Sequence, residues 1–274
     1  KLNFSLFFFL LLFLTACLNI PTPEQRFHTA ENLAVNMNKK IYHTKYFDIF
    51  SYQKISGNCK DIHVYIEGDG LSWVTSTTIS SNPTPINPLA LKLATKDDNK
   101  CVIYLARPCQ YINSTNCNYK YWTSARFAPE VIKTYMRVLN KIKSEYQNNK
   151  FTLFGFSGGG TVATILAAKR DDINLLVTIS GNLDIQKWCE LHHISKLKYS
   201  LNPADFTKSL QNVKQFHLIG GQDYNTGEKV FFSFYNKFSN RSMIKYKIYP
   251  NFTHSYGWYE KWNEILKEIN NGNN

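Results

Sequence analysis

Short apolar, β-branched runs alternate with stretches of helical periodicity along most of the 274-residue chain, and this alternation restricts the fold more than any other feature. The runs lie at 62–66, 101–105, 151–154, 175–179, 216–219 and 244–249, each bounded by Gly, Asn, Asp or Pro. Residues 127–146 carry Val131, Ile132, Tyr135, Met136, Leu139 and Ile142 at helical spacing, with Pro129 near the start, where a missing N–H is harmless. Further helices are expected at 161–169, 228–238 and 258–269. Strands that are apolar throughout, separated by helices, predict an α/β fold: a mostly parallel central sheet with helices on both faces. Residues 41–55 supply one or two leading strands, antiparallel to the rest. A hydrophobic content of 43% with 19% charged residues excludes a disordered chain and suits a single domain over 41–274.

The third run leads directly into Gly155-Phe156-Ser157-Gly158-Gly159-Gly160, and a helix leaves it. A serine on such a strand-to-helix turn has a strained backbone, and side chains at Gly155 or Gly159 would collide with neighbouring elements. The helix N-terminus beneath the serine favours negative charge where an oxyanion would form. A phosphate loop is a poorer match, because no Lys-Ser/Thr follows the glycines and no GxGxxG spacing is present. A serine hydroxyl needs a base, and seven histidines compete for that role. His63 and His217 fall inside expected strands, where packed, hydrogen-bonded roles suit them. His28 and His43 belong to the leading segment, and His192 and His193 lie between the fourth and fifth runs. His254 stands in a loop between the last run and the last helix.

In order, spacing and context the chain resembles the α/β-hydrolase superfamily from about residue 41 onward. Four segments resemble bacterial envelope lipoprotein hydrolases: Tyr65-Ile66-Glu67-Gly68-Asp69-Gly70, Ala106-Arg107-Pro108-Cys109-Gln110-Tyr111, Tyr121-Trp122-Thr123-Ser124-Ala125-Arg126 and Leu201-Asn202-Pro203-Ala204-Asp205. The resemblance implies a Ser-His-Asp triad with Ser157 as nucleophile and His254 as base. Asp223, after Gly220-Gly221-Gln222 at the end of the fifth run, is the expected acid, with Asp184 as its rival. The oxyanion hole would use the backbone N–H groups of Gly158 and Asp69. The expected activity is hydrolysis of a carboxylic ester or thioester through an acyl-enzyme. A peptidase or acyltransferase on the same scaffold and a catalytically inactive envelope binding protein are the alternatives. No metal or organic cofactor is implied. Residues 184–211 form a candidate small lid, whose Trp188, Leu191, Leu197 and Tyr199, together with Trp73, suggest an apolar pocket.

Before this domain, Lys1 and an apolar run over 4–14 lead to Leu14-Thr15-Ala16-Cys17. That pattern describes an export signal too short to span a bilayer comfortably, and its last four residues resemble the lipobox of bacterial lipoproteins. The expectation is a signal peptide over 1–16, lipidation at Cys17, a polar linker over 17–40, and a membrane-anchored protein of the cell envelope, at the outer membrane. A net charge of +12 raises the question of nucleic acid. The lysines are scattered, however, without an Arg-rich helix or a nucleic-acid motif, and a solvated surface or attraction to anionic lipid fits better. No CxxC pair suggests zinc. Export permits disulfides: Cys109 and Cys117 flank a short polar loop that one would staple, Cys59 and Cys101 precede neighbouring strands, and Cys189 is left as a buried thiol.

Overall fold

The computed structural model describes residues 20–271, so the expected signal peptide and lipidation site, Cys17, lie outside the described residues. Eight strands form one sheet in the order β1-β2-β4-β3-β5-β6-β7-β8. They are β1 (Asn38–Tyr42), β2 (Ile49–Ile55), β3 (Asp61–Ile66), β4 (Cys101–Leu105), β5 (Lys150–Phe156), β6 (Ile173–Ile179), β7 (Gln215–Gly220) and β8 (Ile244–Tyr249). From β4 to β8 every neighbouring pair is parallel, whereas β2 runs antiparallel to both β1 and β4. The buried sequences of β4 and β7 follow from this position: with helices on both faces, neither side of these strands meets water.

One face of the sheet is covered by α3 (Pro129–Tyr146), α4 (Gly158–Ala167), α5 (Ile185–Leu191), α6 (Thr207–Leu210) and α7 (Gly227–Tyr235), which contribute Val131, Tyr135, Val162, Cys189, Leu210 and Phe231 to the larger core. The other face is covered by α1 (Pro23–Leu33), α2 (Leu89–Thr95) and α8 (Trp258–Asn271), with Ala30, Leu91, Leu93, Trp258 and Trp262 packed inside.

Residues 20–40 are not the expected linker. Thr22 and Gln25 form a reciprocal capping box, Pro23 occupies the first turn, and α1 follows directly. Arg26 is buried and donates to Asn82 O at 3.2 Å and to Thr84 O, which ties this helix to the loop beyond β3. Disulfides join Cys59 to Cys101 and Cys109 to Cys117, while Cys189 is a buried free thiol. Both histidines expected inside strands are hydrogen-bonded: His63 to Asp97 at 2.6 Å, and His217 to Thr178 at 2.7 Å. Among the described residues no helix is long and apolar enough to cross a membrane.

Candidate active site

Ser157 sits between β5 and α4 with φ 52° and ψ −118°, a conformation that costs an L-residue about 1–3 kcal/mol. Three backbone hydrogen bonds hold it there. Its N–H donates to Ile179 O at 3.0 Å, and its carbonyl accepts from Gly160 N at 2.9 Å and Asn182 N at 3.1 Å. The glycines permit the close approach. A Cβ at Gly159 would lie 2.1 Å from Ile66 O, and one at Gly155 would lie 2.5 Å from Gly159 O.

His254 arrives on the loop after β8. Its Nε2 lies 2.9 Å from Ser157 Oγ and its Nδ1 2.9 Å from Asp223 Oδ2. The loop is fixed by Trp258, whose Nε1 donates to Thr253 O at 3.1 Å and His254 O at 3.3 Å. Asp223 follows β7 and is buried in a turn: its Oδ1 accepts from Asn225 N at 2.8 Å and Thr226 N at 3.0 Å, and the Thr226 hydroxyl lies 2.9 Å from its Oδ2. Burial alone would raise the Asp223 pKa. The hydrogen bond and charge of His254, with the two N–H donors, outweigh it and hold the carboxyl down at about 2. The rival, Asp184, is engaged elsewhere: it caps α5 through Lys187 N at 3.2 Å and pairs with Lys237 at 2.9 Å.

Asp69 and Gly158 meet across the turn. Gly158 heads α4, and a Cβ there would lie 2.1 Å from Asp69 Oδ1. Among the described residues neither the Gly158 nor the Asp69 N–H donates to a protein acceptor. The Asp69 carboxylate bridges two guanidiniums, Arg107 at 2.9 Å and Arg126 at 2.7 Å. Burial acts to raise its pKa, but the two arginines prevail and keep it below the usual carboxylate range. Just before it, Glu67 accepts from the N–H groups of Gly68, Ala90 and Leu91 at 2.9, 3.3 and 3.4 Å, so it caps the start of α2. Burial pushes its carboxyl up to about 7 against those donors.

A cleft of about 420 Å³ opens over Ser157 and His254, with Trp73, Phe156, Trp188, Ile86 and Arg126 among its walls. Of the aromatic and aliphatic residues expected to line it, Trp73 and Trp188 do so. Leu191 and Tyr199 stand outside it, and Leu197 packs against the core. Within the expected lid, α5 reaches the cleft through Trp188, while Ala204 and Leu210 are buried in the main core. Asn225 was not anticipated from sequence. Its Nδ2 lies 3.2 Å from His254 Nε2, its Oδ1 accepts from Trp188 Nε1 at 2.9 Å, and its backbone carbonyl lies 2.7 Å from His192 Nε2. The Arg107–Asp69–Arg126 cluster was equally unforeseen. Among the described residues no group of three or more His, Cys, Asp or Glu is arranged to hold a metal ion.

Many solved structures share this architecture. An esterase from Pyrococcus furiosus is 14% identical, with a TM-score of 0.63 over 88% of this chain and 92% of its own. The Butyrivibrio proteoclasticus protein Est1E is 15% identical, with a TM-score of 0.60 over 86% of this chain and 98% of its own. An alpha-beta serine hydrolase homologue from Coxiella burnetii is 11% identical, with a TM-score of 0.58 over 85% of this chain and 95% of its own. No protein-family model and no curated protein sequence matches the chain. The fold is that of the α/β hydrolases.

Proposed function

We propose that this chain is a serine hydrolase that cleaves a carboxylic ester or thioester through an acyl-enzyme on Ser157. One observation carries the reading: a single imidazole bridges a strained, cleft-facing serine hydroxyl and a buried carboxylate, at 2.9 Å on each side. In this reading His254 Nε2 takes the hydroxyl proton as Ser157 Oγ attacks the carbonyl carbon, and returns it to the leaving group when the tetrahedral intermediate collapses. Water then attacks the acyl-enzyme by the same route. Asp223 holds the Nδ1–H tautomer and stabilises the imidazolium. The free N–H groups of Gly158 and Asp69 are the oxyanion donors, each worth roughly 3 kcal/mol in the transition state.

Fluorophosphonate labelling of wild type against Ser157→Ala tests the nucleophile. Labelling of the wild type alone is expected, and equal labelling of both would remove Ser157 from the mechanism. Panels of ester, thioester and peptide substrates then separate ester hydrolysis from peptidase activity, and product analysis with added acceptor alcohols separates hydrolysis from acyl transfer.

An envelope location belongs to the same proposal. It is supported by the lipobox-like run ending at Cys17 and by the two disulfides, which persist in oxidising compartments. Metabolic labelling with a clickable fatty acid should mark wild type and not Cys17→Ser; lipid retained on the serine variant would refute the anchor.

A further inference from the structure

The cleft wall holds one cationic edge that the proposed mechanism leaves idle. Arg126 is only 7% exposed, yet it lines the cleft. Its Nε donates to Thr123 O at 2.7 Å and its Nη1 to Asp69 Oδ2 at 2.7 Å, while the guanidinium carbon lies 5.8 Å from the centre of the Trp188 ring. Among the described residues its Nη2 makes no hydrogen bond, although it is not sealed from solvent. Arg107 and Arg126 share the single Asp69 carboxylate, so that cluster holds one cation in excess, and the other acid of the wall, Glu67, is turned to the backbone N–H groups of Gly68, Ala90 and Leu91 and makes no ion pair with Arg126. A guanidinium held by two hydrogen bonds beside an indole, with a free N–H edge in a cleft, matches a carboxylate. Because Asp69 abuts Gly158, the residue after Ser157, this edge is near the reacting bond.

We propose that the free edge of Arg126 is an anion-binding point, and that the preferred substrate is an ester or thioester bearing a carboxylate a few atoms from the bond cleaved. This rests on the hydrolase reading above and narrows its substrate class. The test compares the 4-methylumbelliferyl half-ester of glutaric acid with the corresponding ester of glutaramic acid, which has the same shape without the charge. Wild type is expected to favour the charged ester by roughly tenfold or more in kcat/KM, chiefly through KM, as suits a charge-assisted hydrogen bond. Arg126→Gln should collapse that ratio and Arg126→Lys should retain part of it. The ratio is read because loosening Asp69 would slow both esters together. A second measurement needs no turnover: calorimetric titration of Ser157→Ala should show glutarate binding that glutaramide does not match and that Arg126→Gln abolishes. If neither ester is turned over but glutarate still binds through Arg126, the hydrolase reading fails and the anion point stands. Equal turnover of the two esters with no preference for glutarate overturns the anion point and leaves the hydrolase reading intact. Failure of both turnover and binding removes both.

Discussion

Replacing Asp223 with asparagine perturbs the proposed mechanism while leaving the fold nearly untouched, because the hydrogen bonds around the carboxylate dictate how the amide must sit. Oδ1 accepts two backbone N–H groups, from Asn225 and Thr226. An amide nitrogen in that position would face two donors, so the substituted side chain must leave its oxygen there and turn its NH2 towards His254 Nδ1, where Oδ2 of the native Asp223 lies at 2.9 Å. The imidazole then has to accept at Nδ1 and carry its proton on Nε2, pointing it at Ser157 Oγ. A base already holding a proton cannot take another from the serine. The expected loss is about 10⁴-fold in kcat, or roughly 5.5 kcal/mol of transition-state stabilisation. The assay is kcat/KM on an activated ester together with the rate of fluorophosphonate labelling, with thermal melting as a control for folding. Both backbone donors keep an acceptor, so the melting temperature should move by only a few degrees. Asp184→Asn is the counter-experiment: it weakens the Lys187 cap and the Lys237 pair without touching His254, so stability falls and the rate stays within about threefold. An Asp223→Asn protein that turns over within tenfold of wild type would show that this carboxylate does not orient the imidazole.

Three further outcomes follow from packing and titration. Gly159→Ala places a Cβ 2.1 Å from Ile66 O, where only backbone can yield, and should lower stability by about 1–3 kcal/mol and labelling with it, whereas Gly227→Ala, whose Cβ meets nothing closer than 3.9 Å, should melt near wild type. Burial holds the His217 pKa down at about 3, below its unfolded value of about 6.5. The unfolded chain therefore binds the extra proton, and urea midpoints should show this site removing about 1.4 kcal/mol of stability per pH unit below ~6.5, a slope that His217→Gln should reduce. Loop-closure entropy puts the Cys59–Cys101 bridge, of separation 42, at about 4 kcal/mol and the Cys109–Cys117 bridge, of separation 8, at about 2.5 kcal/mol. Paired Cys→Ser variants should reproduce that ranking in denaturant midpoints, and the reverse order would mean that native-state effects dominate.

The parts of the molecule legible in its sequence are those determined by local pattern. β4 and β8 begin and end where their apolar runs do, and α3, with its strong periodicity, is displaced by only two residues at its start. The strand-to-helix turn at Ser157 was legible because a strand, a glycine cluster and a helix are contiguous. α1 was missed because its buried face is carried by small and polar residues, Ala30 and Arg26, although the Thr22–Gln25 capping box was present as a signal. α2 was missed for a different reason. The acid that caps its first N–H groups is Glu67, more than twenty residues upstream, so no local motif announces the helix. The same non-locality hid the brace around Asn225, which depends on Trp188 and His192, and the arginine pair on Asp69. For Asn225 there was one local hint: Asp223-Tyr224-Asn225-Thr226 has the composition of an Asx turn.

In the proposed mechanism Asp223 and Asp69 have opposite electrostatic tasks. Asp223 touches the imidazole, so its negative charge would stabilise the positive charge forming on His254 during attack and belongs there unneutralised. Asp69 abuts Gly158, on the side where the proposed oxyanion would develop, and a bare carboxylate there would repel it. At roughly 5 Å and an effective dielectric of 20, that repulsion is about 3 kcal/mol, enough to cancel one oxyanion donor. Two guanidiniums at hydrogen-bond distance reverse the sign of the cluster. They also fix the Asp69 side chain, and with it the loop whose N–H is needed. The arginines come from beyond β4 and from just before α3, so in the proposed mechanism the connection between those elements, stapled by Cys109–Cys117, would serve the chemistry by giving an ill-placed acid two compensating cations. Charge reversal of this kind predicts that Asp69→Asn will be milder than Arg107→Met: the first removes the acid and leaves two cations, while the second leaves the acid half-compensated beside the developing charge. Fluorophosphonate labelling rates in the two variants would show the order, and a slower Asp69→Asn protein would mean that the carboxylate acts mainly as a loop anchor.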